Sequence, residues 1–218
     1  MLPAMLLAVV ASAAFPAPGT YRYSASLGGQ RLGEWSVSVK ASDRGTEIDE
    51  NSTAAFAGMA VAATASLMLG PDFAPTRYDG SYRMAGQTPT VSVTLTPSSA
   101  TVVGGIGGST RTLALEPNTR HFVVIEPALL AGLFALPAQL RAWSDGAVTW
   151  IAPIPGQEQT ITTDSASPAP RPPAAPQQDV ALSMQGQIPV TIWYDPVTLV
   201  PDVVVVPSQN AILTRERS

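Results

Sequence analysis

The sequence contains no cysteine and only one histidine, His121, among its 218 residues. Without cysteine the chain can form no disulfide bond, thiolate metal site or cysteine nucleophile. A general base at His121 would need a nucleophile and a partner acid within hydrogen-bond reach, and no motif in the sequence places them there. We therefore expect His121 at a solvent edge or in a capping role, and we predict no catalytic residue, no metal site and no cofactor.

Charge is also scarce. Charged residues make up 13% of the chain and apolar residues 45%, whereas a typical soluble chain has roughly a quarter of its residues charged. The net charge is −4, and the twelve basic residues, eleven of them arginines, are scattered. Because nucleic acids and anionic membrane surfaces require concentrated positive charge, this composition argues against both as partners.

Long apolar runs are missing beyond the first residues. The segment Leu6–Ala14 is apolar but too short to span a bilayer, and Ala11-Ser12-Ala13 has the small-x-small pattern of a cleavage site. We predict a signal peptide over residues 1–14, a periplasmic or secreted protein, and no integral membrane segment after cleavage. Since no Lys or Arg precedes the apolar stretch, a frayed apolar N-terminus or a misassigned start codon is the alternative.

The remainder of the chain is rich in strand signals. Thr20–Leu27 and Leu32–Ala41 alternate between apolar and polar residues, and Gly28-Gly29 and Asp43-Arg44-Gly45 are typical of tight turns. Met59–Leu69 has apolar or small residues at both alternating positions, which predicts a strand covered on both faces. Successive short strands separated by turns indicate an antiparallel sheet.

One helix is predicted. Glu126-Pro127 places a proline in a first helical turn, and the leucines and phenylalanine of residues 129–136 follow it. Pro137 is expected to stop or kink this helix. Because its sides are apolar nearly all round, we expect the helix to be buried.

A proline-rich segment, Ser165–Gln178, has almost no apolar bulk and is predicted to be an extended, mobile surface loop. The strands that follow it are too few to be stable alone. We therefore predict a single β-rich domain over residues 15–218 with a loop insertion at 165–178. Its fold class is mainly all-β: a curved antiparallel sheet, or half-closed barrel, with one covering helix.

Two stretches carry a resemblance to known proteins. Residues 19–23, GTYRY, lead through GGQRLG at 28–33 to Trp35, and residues 192–196, IWYDP, lead to LVP at 199–201. This pair resembles exported bacterial proteins of unassigned function whose architecture is similar to that of the periplasmic lipoprotein carriers LolA and LolB. The resemblance implies a curved sheet whose concave face is covered by helices and receives acyl chains. The absence of a lipobox cysteine departs from the lipid-anchored LolB type.

Two other clusters invite functional interpretations. Glu47, Asp49 and Glu50 could supply oxygens to a hard cation or a carboxylate pair to a glycosidase, but calcium sites require six or more oxygen ligands. We expect a solvated strand face. Gly104–Gly108 resembles a phosphate-binding loop, yet Ser109-Thr110-Arg111 follows where a Walker motif requires Lys and then Ser or Thr. We expect a hairpin connection there.

Large apolar side chains are the most informative group. They form either an ordinary filled core or the lining of a cavity between the sheet and its helix; adaptable methionines would suit the second interpretation. The predicted ligand-binding residues are Trp35, Phe56, Met59, Met68, Leu129, Leu133, Phe134, Trp143 and Trp150.

These observations favour a non-enzymatic binding or carrier-like protein for an acyl chain, a lipoprotein or an apolar small molecule. The alternative is an envelope structural or assembly protein that holds a protein partner through sheet edges or the proline-rich loop. A hydrolase using dispersed carboxylates is the third hypothesis and the least favoured.

Overall fold

A computed structural model describes residues 15–56, 59–84, 86–106, 108–126, 129–144, 146–164, 170–186 and 189–217. The predicted signal peptide, residues 1–14, lies outside this part, as does Pro127 of the predicted helix start. Within the described residues no helix is long and apolar enough to cross a membrane.

Fifteen strands and one α-helix make up the described fold. In chain order they are β1 Gly19–Leu27, β2 Gln30–Ser42, β3 Gly45–Phe56, β4 Met59–Leu69, β5 Pro75–Met84, β6 Thr90–Leu95, β7 Ser99–Gly104, β8 Thr110–Ala114, β9 Phe122–Val124, α1 Ala131–Trp143, β10 Ala147–Ala152, β11 Gln157–Asp164, β12 Val180–Gln185, β13 Val190–Tyr194, β14 Pro201–Val206 and β15 Ala211–Arg215; a short 3-10 helix, Pro207–Gln209, precedes β15.

All strands belong to one sheet in the order β8-β7-β6-β5-β4-β3-β2-β1-β15-β14-β13-β12-β11-β10-β9. Neighbours pair antiparallel except β9 and β10, which run parallel. The sheet is curved but not closed: its ends approach where the Ile106 amide donates to the Ile154 carbonyl at 2.8 Å and Arg111 Nη2 donates to the Pro153 carbonyl at 3.0 Å. The predicted fold class, a curved and mainly antiparallel sheet with one covering helix, is confirmed.

Strands β1 to β7 bury mainly one face. In β2, Trp35, Val37 and Val39 point into the core while their neighbours are half-buried or exposed. The prediction that Met59–Leu69 is covered on both faces is wrong. Leu67 and Leu69 are fully buried, but the residues between the buried positions of β4 are half-buried or exposed.

Helix α1 lies on the concave face of the sheet, and residues 131–140 are all buried. Gly132 allows its close approach to β9, because a methyl group at this position would lie 1.9 Å from the Val124 carbonyl oxygen. Pro137 was expected to stop or kink the helix; it does not stop it, since the helix continues to Trp143. Leu136 and Ala138 are both fully buried, so tertiary packing holds the turns on either side of the proline.

The end of the proline-rich segment covers part of the convex face. Ala175 is buried in a small second core with Trp193 and Val203, and the Arg171 guanidinium lies 4.2 Å from the centroid of the Trp193 ring. Most of residues 170–178 are exposed, but Pro172 and Ala175 are buried; residues 165–169 lie outside the described part. Because this segment connects the paired strands β11 and β12, it is an excursion from the sheet that folds back onto it.

Candidate functional site

A cavity of about 120 Å³ opens on the concave side of the sheet. Its walls come from β1 and β2, from β10 to β15 and from the chain on both sides of residues 127–128. Leu27, Gly186 and Gln209 belong to the lining and are exposed, so the cavity meets solvent at the rim where their turns come together. The rest of the lining is almost entirely apolar.

Four of the predicted ligand-binding residues line this cavity: Trp35, Leu129, Leu133 and Trp150. Alternation along β2 places Trp35 on the concave face, the chain just before α1 supplies Leu129, and the first turn of α1 supplies Leu133. These residues, far apart in sequence, are brought together because the sheet bends around the start of the helix.

Three other predicted residues lie elsewhere. Phe134 is fully buried and its ring packs at 5.1 Å from that of Tyr21. Met68 is half-buried on β4, on the face opposite its buried neighbours. Trp143 stacks on His121 with ring centroids 4.1 Å apart and donates its Nε1–H to the Asp72 carbonyl at 2.8 Å.

Phe56 and Met59 are the remaining predicted residues. Their backbones pair across the hairpin between β3 and β4, but their side chains lie outside the described part of the chain. The cavity lining also includes small and branched residues that sequence analysis did not single out, among them Ala25, Ala211 and Val204.

Buried hydrogen bonds fix the inner wall of the cavity to the sheet. Trp150 Nε1–H donates to the Ile125 carbonyl at 2.6 Å. Glu50 Oε2 accepts the amide hydrogens of Leu130 at 2.7 Å and Ala131 at 2.6 Å. Since the helix begins without a local side-chain cap, the carboxyl group of Glu50 on β3 takes over the capping role that Ser, Thr or Asp usually has.

Glu50 was expected on a solvated strand face, and this expectation is wrong because its side chain is only 1% exposed. Burial raises the pKa of Glu50 to about 8, and the two amide donors offset only part of this shift. The sequence did contain a signal for this burial. Glu50 lies two residues after Ile48, which is fully buried, and residues two apart on a strand point to the same face.

Among the residues that line the cavity, Glu126 is the one with an acidic side chain. Its side chain is 3% exposed, and its Oε1 accepts the Ile154 amide hydrogen at 2.6 Å. Burial raises the pKa of Glu126 to about 8, against the opposing effects of the Ile154 amide and the Arg111 charge. The Glu126-Pro127 pair predicted a helix that begins at the proline, but α1 begins at Ala131.

The neighbours of Glu50 on β3 behave as expected. Glu47 and Asp49 share the outer face and both contact Lys40 Nζ, at 3.7 and 2.5 Å. Among the described residues no group of three or more acidic or histidine side chains is placed to hold a metal ion. The glycine-rich stretch connects β7 to β8, although Gly107 is outside the described residues.

No protein-family model matches the chain, and no curated protein matches it. Among solved structures, a DUF1089 family protein from Pseudomonas aeruginosa is similar, with a TM-score of 0.48 and 8% sequence identity over 89% of this chain and 93% of that chain. Nothing about function follows from a likeness of this size.

Proposed function

We propose that this protein is a non-enzymatic binding or carrier-like protein for an apolar ligand, either an acyl chain, an acylated protein or an apolar small molecule. The observation that supports this function best is the apolar cavity between the curved sheet and the start of α1. Burial of apolar ligand surface there would contribute about 25 cal/mol per Å².

The side chains of the cavity wall face a space of about 120 Å³ that no other side chain fills. Atoms that line such a space lack partners on one side and lose dispersion contacts. A ligand that fills the space would restore the missing dispersion contacts.

The size and opening of the cavity limit the ligand. An engineered cavity of about 150 Å³ lined by Leu, Ile and Phe binds benzene, so the smaller space here suits one ring or a short length of chain. Leu27 and Gln209 are exposed at the rim, where the remainder of a longer ligand would emerge. A slim apolar end group fits these dimensions better than a bulky lipid taken up whole.

The proposed location is the periplasm or the exterior of the cell, on the basis of the apolar leader and its small-x-small site. N-terminal sequencing of the protein isolated from the envelope fraction tests this directly. A mature N-terminus near residue 15 is expected, whereas an intact Met1 in the cytosolic fraction would contradict export.

Native mass spectrometry after incubation with a bacterial envelope lipid extract tests the binding function. We expect adducts whose mass identifies an acylated or apolar compound. Ala25→Leu, which inserts a larger side chain into the cavity wall, should abolish the adducts. Ser26→Leu, on the next residue of β1 and outside the lining, is the matched control and should retain them.

Unmodified protein under every lipid condition would contradict the proposal. Adducts that persist equally in Ala25→Leu would place binding elsewhere on the molecule. Recovery of one protein partner without lipid, in cross-linking from intact cells, would instead favour the envelope assembly function.

A further inference from the structure

Glu126 belongs to the cavity lining, and one of its carboxyl oxygens has no hydrogen-bond partner. Glu126 Oε1 accepts the Ile154 amide hydrogen, but Oε2 is buried and has no partner within the described part of the chain. A buried polar atom without a partner destabilises the fold. Because Glu126 borders the cavity, a bound ligand would offer Oε2 the partner that it lacks.

The surroundings favour the neutral, protonated form of Glu126. A charged carboxylate in an apolar site is strongly disfavoured unless it is paired, and the nearby Arg111 directs its Nη2 to the Pro153 carbonyl. Tyr78 and Tyr82 of β5 are the other titratable groups whose charge would interact with Glu126. Neither phenol supplies a positive charge.

Protonation of Glu126 determines which carboxyl oxygen donates a hydrogen bond and which one accepts. Because Oε1 accepts the Ile154 amide hydrogen, the carboxyl proton belongs on Oε2, where the group becomes a hydrogen-bond donor. A hydrocarbon ligand would leave this donor unused, and an ionic ligand would enter a space whose lining has no basic side chain. A neutral oxygen acceptor satisfies both requirements.

We propose that the ligand of this cavity carries a neutral oxygen group, such as an ester or ketone carbonyl or a hydroxyl, that accepts a hydrogen bond from Glu126 Oε2. This inference rests on the proposed function, because it assumes that the cavity binds a ligand. It assigns Glu126 as the residue that selects the polar end of an otherwise apolar molecule.

Two probes of nearly equal shape test the inference: cyclohexanone, which has a carbonyl oxygen, and methylenecyclohexane, which has a CH2 group in its place. NMR titration of the ¹⁵N-labelled full chain gives the Kd of each probe, and the ratio of the two affinities isolates the contribution of the oxygen. At pH 6 we expect Glu126→Leu to lower the relative affinity for the ketone about fivefold, which is the value of one net hydrogen bond.

A second test uses Glu126→Gln and a change of pH. It avoids placing the apolar leucine of Glu126→Leu at a buried polar position. The amide of glutamine can accept from Ile154 and still donate through Nε2, so this variant should keep the preference for the ketone. In the unsubstituted protein the preference should fall between pH 6 and pH 9 as Glu126 loses its proton, whereas in Glu126→Gln it should stay constant. Glu47→Gln, on the outer face of β3 beside Lys40 and outside the lining, is the control and should retain the fall with pH.

The outcomes separate the two proposals. If both probes bind but their affinity ratio is the same in the unsubstituted protein and in Glu126→Leu, and does not change with pH, the role of Glu126 is wrong and the apolar cavity remains. If neither probe causes shifts at residues of the cavity wall, the binding function is contradicted, and the inference with it.

Discussion

The two halves of the sheet differ in how many of their faces are buried. From β1 to β7, strands bury the concave face and leave the convex face largely to polar side chains, as in β6, where Val91, Val93 and Leu95 alternate with half-buried or exposed residues. From β9 to β14, many strand residues are buried on both faces; β13 has four consecutive buried residues. Helix α1 packs against β3 and β4 of the first half and against β9, and the proline-rich segment covers part of the convex face of the second half.

The two halves of the sheet therefore have different surroundings. The one-sided half needs no cover on its convex face and supplies Glu50 to the helix start. The two-sided half forms most of the cavity wall. The cover on its convex face helps to fix its strands beside a space that no other side chain fills.

The largest effect is expected from removing the outer cover. Trp193→Ala deletes the main buried side chain of the second core and should lower the free energy of unfolding by about 3–5 kcal/mol. Thr94→Ala, exposed on the convex face of β6, should change it by less than about 0.5 kcal/mol. Urea denaturation measures both. Similar small losses in the two variants would show that the covered half gains nothing from its outer layer.

The pH dependence of stability should be the next largest effect. Glu50 and Glu126 have pKa values raised to about 8 in the fold, above the value of 4.5 of the unfolded chain. The folded protein therefore binds more protons, and the free energy of unfolding should decrease as pH rises from 5 to 8, by about 3 kcal/mol per group.

Denaturant titrations at several pH values test this, and Glu50→Gln and Glu126→Gln separate the contribution of each half of the sheet. Each substitution should remove the contribution of its own glutamate to the decrease of the free energy of unfolding with pH. An increase of stability over this pH range, or slopes unchanged by both substitutions, would contradict the burial of neutral carboxyls.

The smallest effect concerns the contact between Arg171 and Trp193. Arg171→Ala removes the cation–π contact and the hydrogen bond from Nη2 to the Asp179 carbonyl at 2.9 Å, and should cost about 1 kcal/mol. The control is Arg31→Ala, because its ion pair with Glu34 is largely exposed and should contribute less than about 0.5 kcal/mol. Thermal unfolding gives the Tm of each variant. Equal decreases in Tm would show that Arg171 does not stabilise the packing of the proline-rich segment on the sheet.

The same difference between halves explains how far sequence could predict the structure. Where only one face of a strand is buried, the alternation of apolar and polar residues can be recognised in the sequence. Trp35, Val37 and Val39 lie on the face that their spacing predicts. The apolar helix was predicted for the same kind of reason, although its start was not, because Glu50, the residue that caps it, is eighty positions away from Leu130.

The candidate site was only partly predictable. Bulky residues such as Trp150 were identified by size, but a cavity is a property of the space left between side chains, and no sequence pattern records that space. The packing of residues 170–178 onto Trp193 was missed because proline-rich composition is typical of exposed loops, whereas here Pro172 and Ala175 are buried.

The pairing of β1 with β15 has a consequence for how the chain acquires its structure. Tyr23 lies opposite Arg215, so β1 and β15, which are far apart in sequence, are adjacent near the middle of the sheet rather than at its edges. The two halves of the sheet cannot join through this pair until β15 has been synthesised. Contacts of such long sequence separation form slowly, and until then β1 exposes an unpaired edge that another chain could occupy. A partner that shields this edge during synthesis should increase the yield of folded protein.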